Sequence, residues 1–387
     1  MSCRPRPEER ATERSESRRR RGRGALLIAA LLMFRAAPAR SQDDKVLVQG
    51  LFDAEVWKTD SGSRLLSKND GDTAPAGRLR LWAVGEFLPG LQGFVVARGE
   101  DGSGSYEGER QGRIEQAALR YTFRAPLRLV LEAGRIVTPL GNFPRRRLST
   151  TNPLIGSPDS YDVSYPLGVQ AGGQVSRFDY RVALLDLPLI NEKYVPEPGT
   201  ILRPALALGI TPRTGLRLGG YATRGPYLNR DLDLFLPAGA GWRDFEQRIV
   251  GADIQFSRGY LELNGDFARS SYDVPAQARA VRGKAYFIEP KYTWTPRFFT
   301  ALRLERNDYA YIQPLGPGVW MGTAVDFFDV EAGAGYRLGP GAVLKVAYRR
   351  DRWNVDDSLK AYLPNGYSVA AQLTFTFNLT SWVERPR

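Results

Sequence analysis

Apolar and polar residues alternate strictly near the C-terminal end of the chain, in the stretch QLTFTFNLTSW at 372–382. Leu373 and Phe375 belong to one set of positions, whereas Gln372 and Thr374 belong to the other. Successive side chains of a β-strand point to opposite faces of a sheet, so this period of two predicts a strand with one apolar and one polar face. The apolar face must contact either a protein core or the hydrocarbon of a membrane.

Strand-like segments of this kind recur along the chain from residue 45 onward. Their alternation and the turn residues that flank them predict an all-β protein of about sixteen strands. The predicted strands are 45–56, 76–88, 91–99, 113–124, 127–136, 168–176, 178–185, 202–210, 215–224, 246–256, 260–269, 282–294, 297–306, 322–337, 342–352 and 367–382.

The connections between these strands fall into two classes that alternate along the chain. Seven are short and carry Pro or Gly at turn positions, as in LPG at 88 and LGPG at 338. The longer ones are 57–75, 100–112, 137–167, 186–201, 225–245, 270–281, 307–321 and 353–366. A transmembrane antiparallel β-barrel of the bacterial outer membrane sorts its connections in this way, with short periplasmic turns and long extracellular loops. We therefore predict that residues 40–387 form such a barrel.

The first 39 residues predict a signal peptide. A basic stretch ending in SRRRRGRG precedes the apolar run ALLIAALLMF at 25–34, and small residues follow at Ala37 and Ala39. The apolar run is shorter than the roughly 20 residues that a spanning helix needs. We expect cleavage after Ala39 and export to the outer membrane.

The composition excludes several kinds of chemistry. The chain has no His, and its one Cys is Cys3, which rules out a Ser-His-Asp or Cys-His nucleophile and imidazole metal ligands. We expect no enzymatic activity, no metal and no other cofactor. The formal charge is +12, but 44 basic and 38 acidic residues remain beyond the leader. They are spread over the strands without a basic stripe, which disfavours binding to nucleic acid.

Charged residues occupy the second face of strand after strand, where a packed core would reject them. Because sixteen strands enclose a channel wide enough for water, we predict that these residues line an aqueous pore. The predicted pore-lining residues are Arg78, Arg80, Arg120, Arg128, Glu132, Arg181, Arg217, Asp253, Glu262, Asp266, Lys345 and Arg349. Basic side chains are in slight excess, so we expect a mild preference for anions.

The longest connection, at 137–167, is the third of the long ones, and loops of this length are usually functional. Its charged residues are Arg145, Arg146, Arg147, Asp159 and Asp162. We hypothesise that the loop folds into the barrel and places its arginines against its acids across a pore constriction. In the alternative interpretation, the loop lies outside and its arginines bind the phosphates of lipopolysaccharide.

The segment LEAGRIVTPLGNF at 131–143 ends a strand with Gly-Arg-aliphatic and continues with Pro-aliphatic-Gly before this loop. It resembles the corresponding segment of the phosphate-selective porin family (O/P type) and of related general porins, and the layout is similar over most of residues 45–382. The resemblance implies a sixteen-stranded porin, trimeric, with a basic constriction formed by the third loop and nearby wall residues. Those porins use mainly lysine for phosphate, whereas this chain has arginine at 145–147, so phosphate selectivity is not carried over.

The sequence therefore predicts a passive diffusion channel for small hydrophilic solutes in the bacterial outer membrane. Its expected partners are outer-membrane lipid and lipopolysaccharide, small solutes or anions, the assembly machinery that reads the C-terminal strand, and further copies of the chain in a homotrimer. The alternative is a non-conducting barrel for adhesion or assembly. A barrel enzyme is disfavoured because the usual base, His, is absent.

Overall fold

The sixteen strands between residues 47 and 378 close into a β-barrel. The computed structural model describes residues 46–62, 71–102, 111–123, 128–159, 164–186 and 201–379. Each strand pairs with its neighbours in the sequence, and the first strand pairs antiparallel with the last to close the ring. The predicted antiparallel barrel is confirmed. The predicted signal peptide and Asp162 lie outside the described residues.

The strands are β1 (Leu47–Thr59), β2 (Ala74–Leu88), β3 (Leu91–Asp101), β4 (Gln111–Thr122), β5 (Val130–Arg135), β6 (Leu167–Val175), β7 (Phe178–Leu185), β8 (Arg203–Arg213), β9 (Leu216–Pro226), β10 (Glu246–Arg258), β11 (Leu261–Tyr272), β12 (Val281–Thr293), β13 (Phe298–Gly316), β14 (Val319–Gly339), β15 (Ala342–Asn354) and β16 (Gly366–Asn378). Short 3₁₀ helices lie at Phe143–Arg145, Arg230–Phe235 and Trp242–Asp244, and one α-helical turn lies at Asp357–Lys360. No helix among the described residues is long and apolar enough to cross a membrane.

Most predicted boundaries lie within a few residues of the observed ones, but the predicted long loop at 307–321 is wrong. β13 and β14 continue through this stretch and meet at a tight turn that contains Gly318, whose φ is 70°. Pro314 and the glycines of this stretch suggest a loop in the sequence, because Pro and Gly weaken strands. The hairpin persists because it is packed: Ile312 and Trp320 are buried in an apolar cluster with residues of the neighbouring loop.

The outward face of the sheet is apolar. In β12, Tyr286 and Ile288 are 40% and 42% exposed, whereas Phe287 and Glu289, which point inward, are 2% and 0% exposed. Large exposed apolar residues occupy the outward positions of most other strands as well, including Phe375 of the C-terminal strand. A monomeric soluble protein rarely exposes so large an apolar surface. This face therefore belongs against lipid hydrocarbon.

The loop end of the barrel carries an apolar cluster of its own. Tyr227, Leu228 and Leu236, from the connection between β9 and β10, pack with Trp320 of the β13–β14 hairpin. The indole Nε1 of Trp320 donates to the carbonyl oxygen of Phe235 at 2.7 Å. We call this cluster the loop lobe. It holds two loop-end connections together beyond the strands of the barrel wall.

Candidate functional site

The connection between β5 and β6 lies inside the barrel. The backbone N–H of Asn142 donates to Oδ2 of Asp266 at 3.0 Å, and its side-chain amide donates to the carbonyl oxygens of Ile254 and Gly265 at 3.2 and 3.0 Å. Asp266 belongs to β11, on the other side of the ring from β5. The segment therefore crosses the lumen, and we call residues 136–159 the crossing loop.

Small inward-facing residues on the wall make room for the crossing loop. Ile136, Leu140 and Phe143 form one buried cluster with wall residues. The alanines of that cluster are Ala183, Ala205, Ala207, Ala268 and Ala285. The ring of Phe143 meets that of Phe287 edge-on, with centroids 6.2 Å apart. Burial of one such side chain contributes about 1.5–3 kcal/mol, so apolar contact helps to hold the loop in the lumen.

Arg303 on β13 connects the wall to the far part of the crossing loop. Its guanidinium is 1% exposed and pairs with Glu289 at 2.5 Å and with Glu331 at 2.9 Å. It also donates to Oδ1 of Asn152 at 3.0 Å and to the carbonyl oxygen of Gly156 at 2.9 Å. The backbone N–H of Gly156 donates in turn to Glu331 at 2.8 Å. One buried cation thus binds two strands and two loop residues.

Lys345 on β15 is a second attachment point. Its ammonium group is 2% exposed and donates to the carbonyl oxygens of Ser149, Asn152 and Leu154 at 2.8, 3.1 and 3.0 Å. An ammonium has three donors, and here the backbone of the loop accepts all three. Lys345 faces the interior, as expected of a pore-lining residue, but the loop covers it.

The charged residues of the loop do not meet each other across an opening. Arg146 pairs with Glu289 at 2.7 Å, and Asp159 pairs with Arg349, which also pairs with Asp329 at 2.5 Å. The expected juxtaposition of the arginines with Asp159 is therefore not seen. Arg146 and Asp159 instead pair with opposite charges on the wall, because a charge covered by the loop needs a partner at close range. We call Glu289, Arg303, Glu331, Lys345 and Arg349 the clasp.

The inward charges on the other side of the barrel face open space. A cavity of about 810 Å³ lies between the crossing loop and the wall from β3 to β9. Its charged lining residues are Arg120, Arg128, Arg145, Arg147, Arg181, Arg217, Glu132 and Asp179. We call this space the basic cavity, because six arginines face two acids in it.

The arginines of the basic cavity differ in how far they are neutralised. Arg217 pairs with Asp179 at 2.7 Å and with Asp253 at 2.6 Å. Arg145 and Arg181 form no ion pair with any residue in the described ranges. Burial, together with the positive charges of Arg181 and Arg217, lowers the pKa of Arg145 to about 10. The guanidinium of Arg145 remains charged at neutral pH, and no carboxylate among the described residues contacts it.

Three inward-facing glycines let the arginines of the wall lie flat. A Cβ on Gly209 would lie 2.3 Å from Nη2 of Arg217, and a Cβ on Gly219 would lie 2.2 Å from Oδ2 of Asp253. A Cβ on Gly172 would lie 3.2 Å from Cγ of Arg181. Glycine in a strand often marks such a close approach. The missing side chains keep the lumen open beside the wall.

Arg147 and Arg120 pack against aromatic rings at the edge of the cavity. Arg147 donates to the hydroxyl of Tyr165 at 2.7 Å and lies 5.0 Å from its ring centroid. Burial raises the pKa of Tyr165, so its phenol stays protonated. Arg120 pairs with Glu132 at 2.5 Å and lies 5.0 Å from the ring centroid of Phe94.

The remaining predicted lining residues take part in ion pairs or hydrogen bonds on the inward face. These pairs are Arg78 with Glu55 at 3.2 Å, Arg80 with Glu115 at 3.0 Å, Glu262 with Lys291 at 2.7 Å, and Asp266 with the hydroxyl of Tyr221 at 2.7 Å. Arg128 lines the basic cavity without an ion pair to another described residue. The structure thus divides the predicted set between the clasp, the basic cavity and local pairs.

The sequence prediction omits several residues that shape the site. Glu289 and Arg303 of the clasp, Asp179 of the basic cavity and the inward glycines are not among the predicted site residues. Their position in the alternation of each strand could have identified them. Each occupies an inward position of a predicted strand, as the alternation of buried and exposed residues in β12 shows for Glu289. The inward run of alanines on β7, β8, β11 and β12 is a further signal, because it marks where the wall leaves room for a loop.

Comparison with solved structures bears on the fold. OmpT, an outer membrane protein of Vibrio cholerae, matches with a TM-score of 0.56 at 11% sequence identity, covering 88% of this chain and 100% of that one. OmpF of Salmonella typhi, in a complex with daunomycin, matches with a TM-score of 0.56 at 15% identity, covering 86% of this chain and 98% of that one. The fold is that of a bacterial outer-membrane barrel.

In an outer-membrane barrel the outward apolar band contacts lipid and the long loops face the outside of the cell. The crossing loop and the loop lobe therefore follow the extracellular ends of their strands. No protein-family model matches the sequence, and no curated protein matches it. The narrower resemblance to phosphate-selective porins remains a prediction.

Proposed function

We propose that this outer-membrane barrel is a passive diffusion channel for small hydrophilic solutes, with a mild preference for anions. The basic cavity carries the proposal: the crossing loop binds one wall and leaves about 810 Å³ beside the other, lined by six arginines and two acids. Rings of basic side chains favour anions in pores. The guanidinium groups also match carboxylate and phosphate oxygens in geometry.

The preference is mild because much of the positive charge is already neutralised. Arg217 and Arg120 are held by carboxylates. Arg145 on the crossing loop and Arg128 and Arg181 near or on the wall supply much of the excess, and they do not close into a ring. Such an arrangement attracts anions without a closed ring of ligands that would trap one of them. We therefore expect selectivity between anions and cations but no tight binding of a single solute.

Planar-bilayer recording of the purified, folded protein tests this function. We expect stepwise open-channel currents. Under a KCl gradient, the reversal potential should lie toward the equilibrium potential of chloride. The double variant Arg145→Ser/Arg181→Ser should shift the reversal potential toward the equilibrium potential of potassium. Arg306→Ser is the matched control, because Arg306 points outward and pairs with Asp326. Absence of open-channel steps would refute the channel, and an unchanged reversal potential in the double variant would refute the role of the arginines.

A second candidate function is a non-conducting barrel for adhesion or assembly. The loop lobe favours it, because an apolar cluster fixes the loop-end connections in one arrangement. Leu234 projects from this lobe and is 85% exposed. The same bilayer recording separates the two functions, since a folded barrel of this second kind would carry no current.

We also propose that the barrel assembles as a homotrimer. β5, β6 and β7 contain only six, nine and eight residues. Strands of this length, tilted as in barrels, reach less than the roughly 25 Å of the apolar band. Their outer face carries an apolar hollow lined by Leu131, Val169 and Val182, which a second copy would cover. The molar mass of the protein in neutral detergent, with Val169→Arg/Val182→Arg as the dissociating variant, tests the assembly.

A further inference from the structure

A second cavity, of about 650 Å³, lies in the lumen at the periplasmic end of the barrel. Leu148 and Thr150 of the crossing loop border it, and so do Pro340 and Gly341 of the short turn between β14 and β15. Short turns lie on the periplasmic side of outer-membrane barrels. Its apolar lining residues include Leu47, Leu51, Trp82, Val84 and Leu148. We call this cavity the apolar mouth.

The apolar mouth is built largely from inward positions of the wall. On β2, Trp82 and Val84 follow Arg80 at a spacing of two residues, so their side chains share its inward face. Both are only half-buried by the protein. Water in the lumen offers these side chains no apolar contact, and clustered exposed apolar groups mark binding surfaces. The apolar mouth therefore suits a ligand that has an apolar part.

The apolar mouth adjoins the basic cavity. Val84 is the cross-strand partner of Phe94 on β3, and Phe94 lines the basic cavity. On the crossing loop, Arg147 lines the basic cavity, and the next residue, Leu148, lines the apolar mouth. The two cavities thus meet along the wall and along the loop. One small solute can contact both of them.

Arg120 on β4 lies at this border. Its guanidinium carbon is 5.0 Å from the ring centroid of Phe94, and its side chain is 43% exposed. The pair with Glu132 uses Nε at 2.6 Å and Nη2 at 2.5 Å. A guanidinium has five N–H donors, so it has the capacity to bind a second carboxylate. Arg128, in the connection that follows β4, adds positive charge to the same cavity.

The charges around the border fix the orientation of a bound anion. Glu86, two residues beyond Val84 on β2, is exposed and accepts from the backbone N–H of Gly90 at 3.0 Å. An anionic group is repelled from this carboxylate and attracted toward Arg120. Trp82 and Phe94 offer aromatic rings, which favour packing against another ring. The ligand that satisfies both cavities is a small aromatic ring that carries one carboxylate.

We propose that the apolar mouth and the adjoining edge of the basic cavity bind aromatic monocarboxylates. The ring of the solute packs against Trp82 and Phe94, and its carboxylate accepts hydrogen bonds from Arg120. The solute class rests on the proposed function as a diffusion channel, whereas binding itself does not require that the barrel conducts. A cavity of this volume lies within the usual range of about 300–1,000 Å³ for small-molecule sites.

Equilibrium dialysis of the intact barrel in neutral detergent, with detergent alone as the blank, tests the binding. The probes are benzoate, acetate, benzyl alcohol and cyclohexanecarboxylate. We expect benzoate to bind about tenfold more tightly than acetate, which lacks the ring, and than benzyl alcohol, which lacks the charge. Cyclohexanecarboxylate, whose ring is not flat, should bind more weakly than benzoate. Equal binding of benzoate and acetate, or of benzoate and cyclohexanecarboxylate, would overturn the proposal.

A tryptophan substitution tests the apolar part of the site. Trp82→Gln should weaken benzoate binding about tenfold, because it removes the ring that packs against the solute. Trp57→Gln is the matched control, since Trp57 is also half-buried on the inward face but lies near the other end of β1. It should bind benzoate as the wild type does. Equal losses in the two variants would contradict the proposed position of the ring.

A charge-neutral variant tests the role of Arg120 if Trp82→Gln folds poorly. Arg120→Gln/Glu132→Gln keeps the net charge, and loss of Glu132 by itself would favour an anion. We expect benzoate to bind about threefold more weakly while benzyl alcohol binding is unchanged. Undiminished benzoate binding by this variant would refute the role of Arg120.

Bilayer recording separates this inference from the proposed function. With KCl on one side and potassium benzoate on the other, we expect the permeability ratio of benzoate to chloride to fall in Trp82→Gln and to stay unchanged in Trp57→Gln. A barrel that binds benzoate but gives no open-channel steps would refute the channel and leave the binding site. Open-channel steps from a barrel that binds benzoate no better than acetate would refute the site and leave the channel.

Discussion

The two sides of the barrel interior carry similar charged residues under different electrostatic conditions. On the clasp side, Arg303 and Arg349 each lie between two carboxylates, and the crossing loop covers them. On the cavity side, Arg145 and Arg181 face open space without ion pairs to described residues. A guanidinium on the inward face is thus structural or available to solutes according to whether the loop lies over it.

The difference follows from the cost of removing charge from water. A buried ion must be paired and hydrogen-bonded, or it destabilises the fold by several kcal/mol. The clasp meets this condition with acids on adjacent strands and with loop carbonyl groups. The basic cavity does not need to meet it, because water can reach its arginines. Arg145 and Arg181, which form no ion pair with a described residue, lie beside the proposed path for solutes.

The largest expected effect is on the clasp side, where removal of the Arg303 guanidinium should lower the free energy of unfolding. Arg303→Met leaves Glu289 and Glu331 buried without their shared partner, and we expect a loss of about 3–5 kcal/mol in the free energy of unfolding. The crossing loop should also detach, which would raise the single-channel conductance. Urea unfolding in lipid vesicles and bilayer recording measure the two effects. The conservative Arg303→Lys should keep part of the stability; a stable Arg303→Met barrel with wild-type conductance would contradict this view of the clasp.

The second prediction concerns the attachment of the loop backbone. Lys345→Met keeps the length of the side chain but leaves the carbonyl oxygens of Ser149, Asn152 and Leu154 without their donor. Each unsatisfied buried group costs about 1–3 kcal/mol, and partial access of water should reduce the total to about 3 kcal/mol. We expect noisier open-channel currents together with this lower stability. Thr374→Val, on the neighbouring strand away from the loop contacts, is the control for a polar residue buried in the wall.

A substitution on the cavity side should change permeation more than stability. Gly209→Ala places a Cβ 2.3 Å from Arg217 and 2.4 Å from Oδ2 of Asp179, so the ion pair must move into the lumen. We expect a smaller conductance and a stability loss of about 1–2 kcal/mol. Gly220→Ala is the matched control, because its Cβ would have only one neighbour, at 3.6 Å. Equal conductance in the two variants would show that the missing side chain at Gly209 does not affect permeation past Arg217.

The smallest expected effect is on the pH dependence of selectivity. The pKa of Arg145 is lowered to about 10 by burial and by Arg181 and Arg217, against the opposing pull of Asp179 and Asp253. A base loses its charge as the pH rises through its pKa, so anion preference should be constant around neutral pH and decline as the pH approaches 10. Reversal potentials measured across this range test the prediction. Arg145→Ser should abolish the decline, and a decline that persists in this variant would assign it to another group.

Local periodicity was sufficient to predict the wall of this barrel. The alternation in β12, from Val281 to Thr293, already distinguishes the inward face from the outward face, because neighbouring side chains of a strand point in opposite directions. The number of strands, the two classes of connection and the loop at 137–167 can also be predicted from residues that are close together in the chain. The exception is the hairpin at 307–321, where packing against the loop lobe outweighs Pro and Gly.

The sequence determined the strands, their two faces and the presence of three adjacent arginines, because each depends on residues close together in the chain. Only the tertiary structure decided that Arg145 faces the basic cavity, Arg146 pairs with Glu289 and Arg147 binds Tyr165. Consecutive residues around a 3₁₀ turn point in different directions, and the partner of Arg146 lies more than a hundred residues away in the chain. Which charge is neutralised depends on what the closed barrel brings opposite it, and no local pattern contains that information.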